Sequence, residues 1–205
     1  MQNFNAHWAT TAPDTALCLD FANTADWHAS AQPTESLLSY HDLLAWAQAH
    51  HLVSADAQNV LARMAADAPD AAEAVLAQAI ALREAIYRIF VALATSATPL
   101  ADDIACLNRA LAVALPYLQV QPSPQGYSWG WTTDTDTISA LLRPIALSAA
   151  TLLTSAQVDR VKQCEDDRGC GFLFIDTSKN RSRRWCSMES CGNRAKVQRH
   201  RRRLQ

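Results

Sequence analysis

Four cysteines constrain this chain more than any other feature. Cys164 and Cys170 form one pair, Cys186 and Cys191 another, in the spacing C-x5-C-x15-C-x4-C. Four thiolates complete the tetrahedral shell of one Zn²⁺. Gly169 and Gly171 flank Cys170 and allow the tight backbone of a metal knuckle. The spacing of the second pair puts Cys191 in or near the first turn of a helix, where the N-terminal end favours a thiolate. Between the pairs lie the apolar run Phe172–Ile175 and the polar turn Asp176–Asn180. A module of about forty residues is marginal without a metal or disulfides, and structural zinc contributes apparent binding energies of roughly 10–16 kcal/mol in finger peptides. One structural zinc ion on Cys164, Cys170, Cys186 and Cys191 is therefore the expected cofactor. Two disulfides, or a Cys3His site using His200, are the rival accounts.

Beyond Cys191 the chain contains no acid. Asn193, Arg194, Lys196, Arg199, Arg201, Arg202 and Arg203 lie in one helical stretch, and Arg181, Arg183 and Arg184 precede it. Such a helix repels itself, and phosphates relieve that repulsion. Arginine can contact guanine and asparagine adenine, so Arg194, Arg199 and Asn193 are candidate base readers. Asn193 is the better candidate for a helix cap.

Charge divides the chain in two. Residues 1–156 hold five Lys and Arg against fourteen Asp and Glu, a net of −9; residues 157–205 hold thirteen against six, a net of +7. An acidic body with a basic nucleic-acid-facing end is the reading, with domains at 1–156 and 157–205. Residues 1–15 lack a basic region followed by an apolar one, and no window approaches the roughly 20 apolar residues of a membrane span. The expected compartment is the cytoplasm, where structural disulfides are disfavoured.

The body is mainly helical by periodicity. Leu17 to Phe21 read as a short strand ending near Asn23, with Cys18 as packing. Helices are expected over about Ser39–His50, from Ser54 as N-cap, from Pro69 to about Ala94, and over Ala101–Leu115. Leu118–Gln121 and Tyr127–Thr132 alternate around a Pro/Gly turn and predict a β-hairpin. A fifth helix starts at Asp136 or Thr137, kinked at Pro144. A short helix over AQVDRVKQ leads to the cysteines, which are then carried by a hairpin of Phe172–Ile175 with Arg183–Trp185. Asn23, Arg83 and Trp129 are the candidate ligand-binding residues of the body. Catalytic residues are not expected: no nucleophile motif, phosphate loop or catalytic metal cluster is present.

The segment RSRRWCSMESCGNRAKVQRHRRR resembles the bacterial CGNR-type zinc finger, named for Cys191-Gly192-Asn193-Arg194. FIDTSKNRSRRWCSM matches the family's lead into that run. LDFANT at 19–24, LLAWAQAHHLVS at 43–54, ALREAIYRIF at 81–90 and LSAATLLTS at 147–155 resemble the ABATE domain, the finger's N-terminal partner. The first knuckle carries one residue more than the four usual in the family. The resemblance implies an α+β ligand-binding domain and a DNA-binding finger in a stress-related transcription regulator.

The expected fold class is thus α+β: a mainly helical domain with a short strand and a β-hairpin, then a treble-clef-like finger. The expected function is zinc-dependent DNA-binding regulation, with an RNA- or protein-binding module as the alternative. DNA, a small-molecule ligand and a second copy of the chain are the expected partners.

Overall fold

The computed structural model describes residues 15–124, 126–132 and 137–203, with the side chains of 199, 200, 202 and 203 left aside. The secretory-signal expectation over residues 1–15 therefore falls almost entirely outside the described residues, as does the assignment of a helix start to Asp136.

Leu17–Ala22 form α1 rather than a strand. Five of its six residues are buried, so the segment is apolar nearly all round and shows no amphipathic period. Its neighbours decide the conformation: Ala16 carbonyl accepts from the amides of Leu19 and Asp20, and Ser148 Oγ accepts from the Cys18 amide at 3.0 Å. The two-residue strands β1 (Ala25–Asp26) and β2 (Thr34–Glu35) pair antiparallel and close a loop over residues 27–33.

Helices α2 (Tyr40–Ala49) and α3 (Ala55–Asp67) begin at Ser39 and Ser54, whose side chains accept from the amides of Asp42 and Ala57. Pro69 opens α4, which runs to Ala94 and buries Val75, Leu82, Ile86, Ile89 and Phe90. α5 spans Ala101–Ala114. The hairpin is as expected: β3 (Leu118–Ser123) pairs antiparallel with β4 (Gly126–Trp131), in the register Leu118 with Trp131 and Val120 with Trp129. α6 runs Leu142–Leu153 after a 3₁₀ turn at Ile138–Leu141. Pro144 does not kink it. It sits in the first turn, where the missing N–H has no intrahelical acceptor. α1, α4 and α6 enclose one apolar core, centred on Phe21, Ile86, Phe90, Ile145 and Leu152.

The expected helix before the cysteines shrinks to one 3₁₀ turn, Val158–Arg160. The chain then extends because β5 (Val161–Gln163) pairs antiparallel with β6 (Leu173–Ile175). β6 therefore does not pair with Arg183–Trp185, as the sequence suggested. The Arg183 amide instead donates to the Asp176 carboxylate at 3.0 Å, and a buried side chain replaces a strand partner. Met188–Gly192 form a π-helical turn leading into α7 (Asn193–Arg203). Among the described residues no helix is long and apolar enough to cross a membrane.

Candidate metal centre

The sulfurs of Cys164, Cys170, Cys186 and Cys191 all lie within 4.8 Å of one another. Cys170 to Cys186 and Cys186 to Cys191 are each 3.7 Å. A tetrahedron with Zn–S bonds of about 2.3 Å has sulfur–sulfur edges of about 3.8 Å. A disulfide needs about 2.05 Å, and all six cysteines are free. The donor set and its dimensions fit one zinc ion, and His200 is not needed to complete the set. Bound by four thiolates, zinc supplies a closed cross-link with no open position for catalysis.

Local structure presents each sulfur. Cys164 and Cys170 bracket a turn closed by the Cys164 amide donating to Phe172 carbonyl at 2.8 Å. Gly169 (φ +88) and Gly171 (φ +71) are required twice over. Each lies in the left-handed region, and a Cβ would fall 2.7 Å from Ser30 Cα at one and 2.7 Å from Ala29 Cβ at the other. Cys191 lies in the π turn, which Ser187 caps by accepting from the Ser190 amide.

The cluster's protonation shows why a dication suits it. Cys164 is drawn down to about 2, chiefly because Cys170 and Cys186 donate to it. That thiolate pushes Cys170 and Cys186 up. Cys191 rises to about 12, through burial first and the nearby Asp166 next. One negative sulfur opposes the others, and a cation removes the conflict.

Several of the expected DNA-facing residues make contacts at or beside the centre. Arg194 Nη2 donates to Cys191 Sγ at 2.7 Å, while its Nε and Nη2 donate to Asp166 Oδ2 at 3.0 and 2.8 Å. Burial would raise the Asp166 carboxyl, but the Arg168 amide and Arg194 hold it low. Arg183 donates to the carbonyls of Trp185 and Cys186 and lies over the Phe174 ring. Arg184 pairs with Glu165 at 2.6 Å on the surface. Arg181 is exposed at φ +49. Asn193 Nδ2 donates back to Glu189 carbonyl at 3.1 Å, so this residue locks the start of α7. Asn193, Lys196 and Arg201 are exposed on α7, as is Val197 at 52%. The side chains of Arg199, Arg202 and Arg203 lie outside the described set.

The body reaches into this centre. Trp27, at φ +56, packs against the sulfur cluster, with the guanidiniums of Arg168 and Arg194 5.0 and 5.3 Å from its ring centroid. Asn23 holds β6 by both ends of its amide, accepting from the Leu173 amide at 2.8 Å and donating to the Leu173 carbonyl at 2.9 Å. Tyr87 OH donates to Gly171 carbonyl at 3.3 Å and accepts from Gln163 Nε2 at 2.9 Å. Sequence reasoning missed Trp27, Tyr87 and Asp166; Asp166, an acid two residues past a cysteine in a basic module, was the one visible signal.

The candidate ligand residues have their own engagements. Arg83 is 3% exposed and forks onto Glu35 at 2.6 and 2.7 Å, with Glu84 at 2.9 Å. Burial would raise the Glu35 carboxyl, but Arg83 holds it below its ordinary range. Glu84 is held at about 2, first by the hydrogen bond from His28 and then by Arg83. Trp129 stands half-exposed on the hairpin.

A family model for ABATE, described as putative stress-induced transcription regulator, matches residues 15–156. A model for the CGNR zinc finger matches residues 160–204. Neither describes an enzyme family. No curated protein matches the chain.

Proposed function

The chain belongs to the ABATE family, described as putative stress-induced transcription regulator, and carries a CGNR zinc finger; we propose that it is a zinc-dependent DNA-binding regulator. The observation that carries this reading is α7: an acid-free helix anchored at its first turn to the cysteine cluster, with Asn193, Lys196 and Arg201 outward. Zinc fixes the helix start, and the helix lays its cations along a duplex. Arg183 and Arg194 belong to the support of the centre rather than to the contact surface. Of the cations expected to face DNA, Arg181, Arg184, Lys196, Arg199, Arg201, Arg202 and Arg203 remain. One phosphate each gives a log–log salt slope of about −6, at about −0.9 per phosphate.

The domains at 1–156 and 157–205 are read as a sensing body and a DNA-contacting module, working in the cytoplasm and on the nucleoid. Signals in the body reach the module through the Asn23–Leu173 and Tyr87–Gly171 contacts.

The test is selection of bound fragments from genomic DNA by the zinc-loaded full chain, followed by affinity against salt. Enrichment of a definite site, with weaker binding and a flatter slope in Lys196→Ala/Arg201→Ala, supports a regulator. Binding to any duplex alike, or preference for RNA, indicates a general basic module instead.

A further inference from the structure

The β3–β4 hairpin turns the wrong face to solvent. Directly opposed residues of an antiparallel pair share a face, as do residues two apart. Leu118, Val120 and Pro122 therefore lie with Trp131, Trp129 and Tyr127 on one side, and Gln119, Gln121 and Ser123 with Gly130, Ser128 and Gly126 on the other. The apolar side is anchored at its base by Trp131, 9% exposed, and then emerges: Trp129 is 48% exposed, Val120 59% and Tyr127 78%. The polar side is the more covered at Gln121 and Ser128, and Ser128 Oγ is buried with no hydrogen-bond partner among the described residues. Gln121 folds over Gly130 and donates to the Trp131 carbonyl at 3.1 Å. A two-stranded hairpin is at best marginal in water without further packing. The exposed members of the apolar face present surface on the order of several hundred Å², the size of the largest and often functional patch on a monomer.

Charge says what covers it. No Asp, Glu, Lys, Arg or His lies between Arg109 and Asp134, within a body of net charge −9. A nucleic acid needs cations that this stretch lacks. A second copy meeting most other faces of the body brings like charge to like charge; here it brings none. The face is also self-complementary in kind, since aromatic residues pair well with aromatic residues, as an isologous two-fold interface requires.

We propose that the Val120–Pro122–Tyr127–Trp129 face of the hairpin is a homodimer interface, closed two-fold against the same face of a second copy. Pairing through this face does not depend on DNA binding. A regulator dimerised here would offer two α7 helices to a site.

The experiment is sedimentation of the zinc-loaded full chain from about 1 to about 100 μM, a range that brackets micromolar association. A monomer–dimer equilibrium is expected. Val120→Thr/Tyr127→Ser, both at exposed positions, should weaken it about tenfold or more while zinc content and circular dichroism stay unchanged. Gln119→Lys, on the opposite face, should leave it unaltered. A wild-type chain that stays monomeric throughout overturns the proposal. So does a dimer whose dissociation constant is the same in the double variant, or one that Gln119→Lys weakens as much.

Discussion

Residues 17–153 and residues 161–203 are held together by different physics. In the helical body, Phe21, Leu43, Ile86, Phe90, Ile145 and Leu152 are all at most 1% exposed, and burial of apolar surface does the work. The cysteine module has few such residues. Leu173 at 2% packs into the body's core, and the other most enclosed members are polar or sulfur-bearing: Asp176 at 0% and Cys191 at 1%. Asp176 shows the contrast best. Burial should raise its carboxyl, yet Lys162 at 2.7 Å, Ser178 Oγ at 2.6 Å and the amides of Ser178 and Arg183 hold it far down. Where a chain is too short to enclose an oily core, a metal cluster and saturated polar anchors take its place. The module also borrows from the body, since Asn23, Trp27 and Tyr87 finish what residues 161–203 leave open.

This contrast predicts where each region fails. The largest effect should come from Cys186→Ser. Structural zinc contributes roughly 10–16 kcal/mol in finger peptides, so zinc content should fall to near zero and amide protection over 161–195 should collapse. Protection in α4 should persist; a body that melts together with the module would show that the two are not separately stabilised.

Arg83→Met comes next and acts in the reverse direction. It leaves Glu35 without its cation and Glu84 with His28 alone; because both carboxylates are partly exposed, the cost should be about 2–3 kcal/mol, below the roughly 3–5 kcal/mol of fully buried pairs. Denaturant titration should show that loss with zinc still bound. Acid probes the same cluster. Glu84 is held at about 2 against an ordinary 4.5, and Glu35 is also lowered. Their contribution is complete above about pH 4.5 and is lost as pH falls towards 2. In Glu84→Gln the acid transition of the body should be shallower; an unchanged transition would remove the cluster from the explanation.

Asn23→Ala should cost about 1–3 kcal/mol, because two buried backbone groups of Leu173 lose their partner. Although Asn23 belongs to the body, hydrogen exchange should quicken first at Leu173. Glu165→Ala should do least, under about 1 kcal/mol, since both members of its pair with Arg184 are half-exposed.

The sequence showed the ligands and most of the helices, and the reason is physical. Thiolate spacing and the 3.6-residue period are local signals, so Cys164, Cys170, Cys186 and Cys191, and α2 to α5, could be read from neighbours along the chain. α1 could not, because a segment buried all round has no period. The partner of β6 could not either, because Asp176 captures the amide of Arg183 and diverts that strand. Arg194 looked like a reader by charge alone; only the fold brings Asp166 and Trp27 to it from 28 and 167 positions away. Basic composition reports how much charge there is, and the fold decides how much of it faces outward.

The link between metal and helix can be measured in a single sample. Zinc content and duplex affinity are followed together as a chelator withdraws metal from the full chain, and again as zinc is returned. One zinc per chain is predicted, with affinity falling as zinc leaves and recovering as it is restored. Affinity that stays constant while zinc is lost would contradict a zinc-held α7 as the DNA-contacting element.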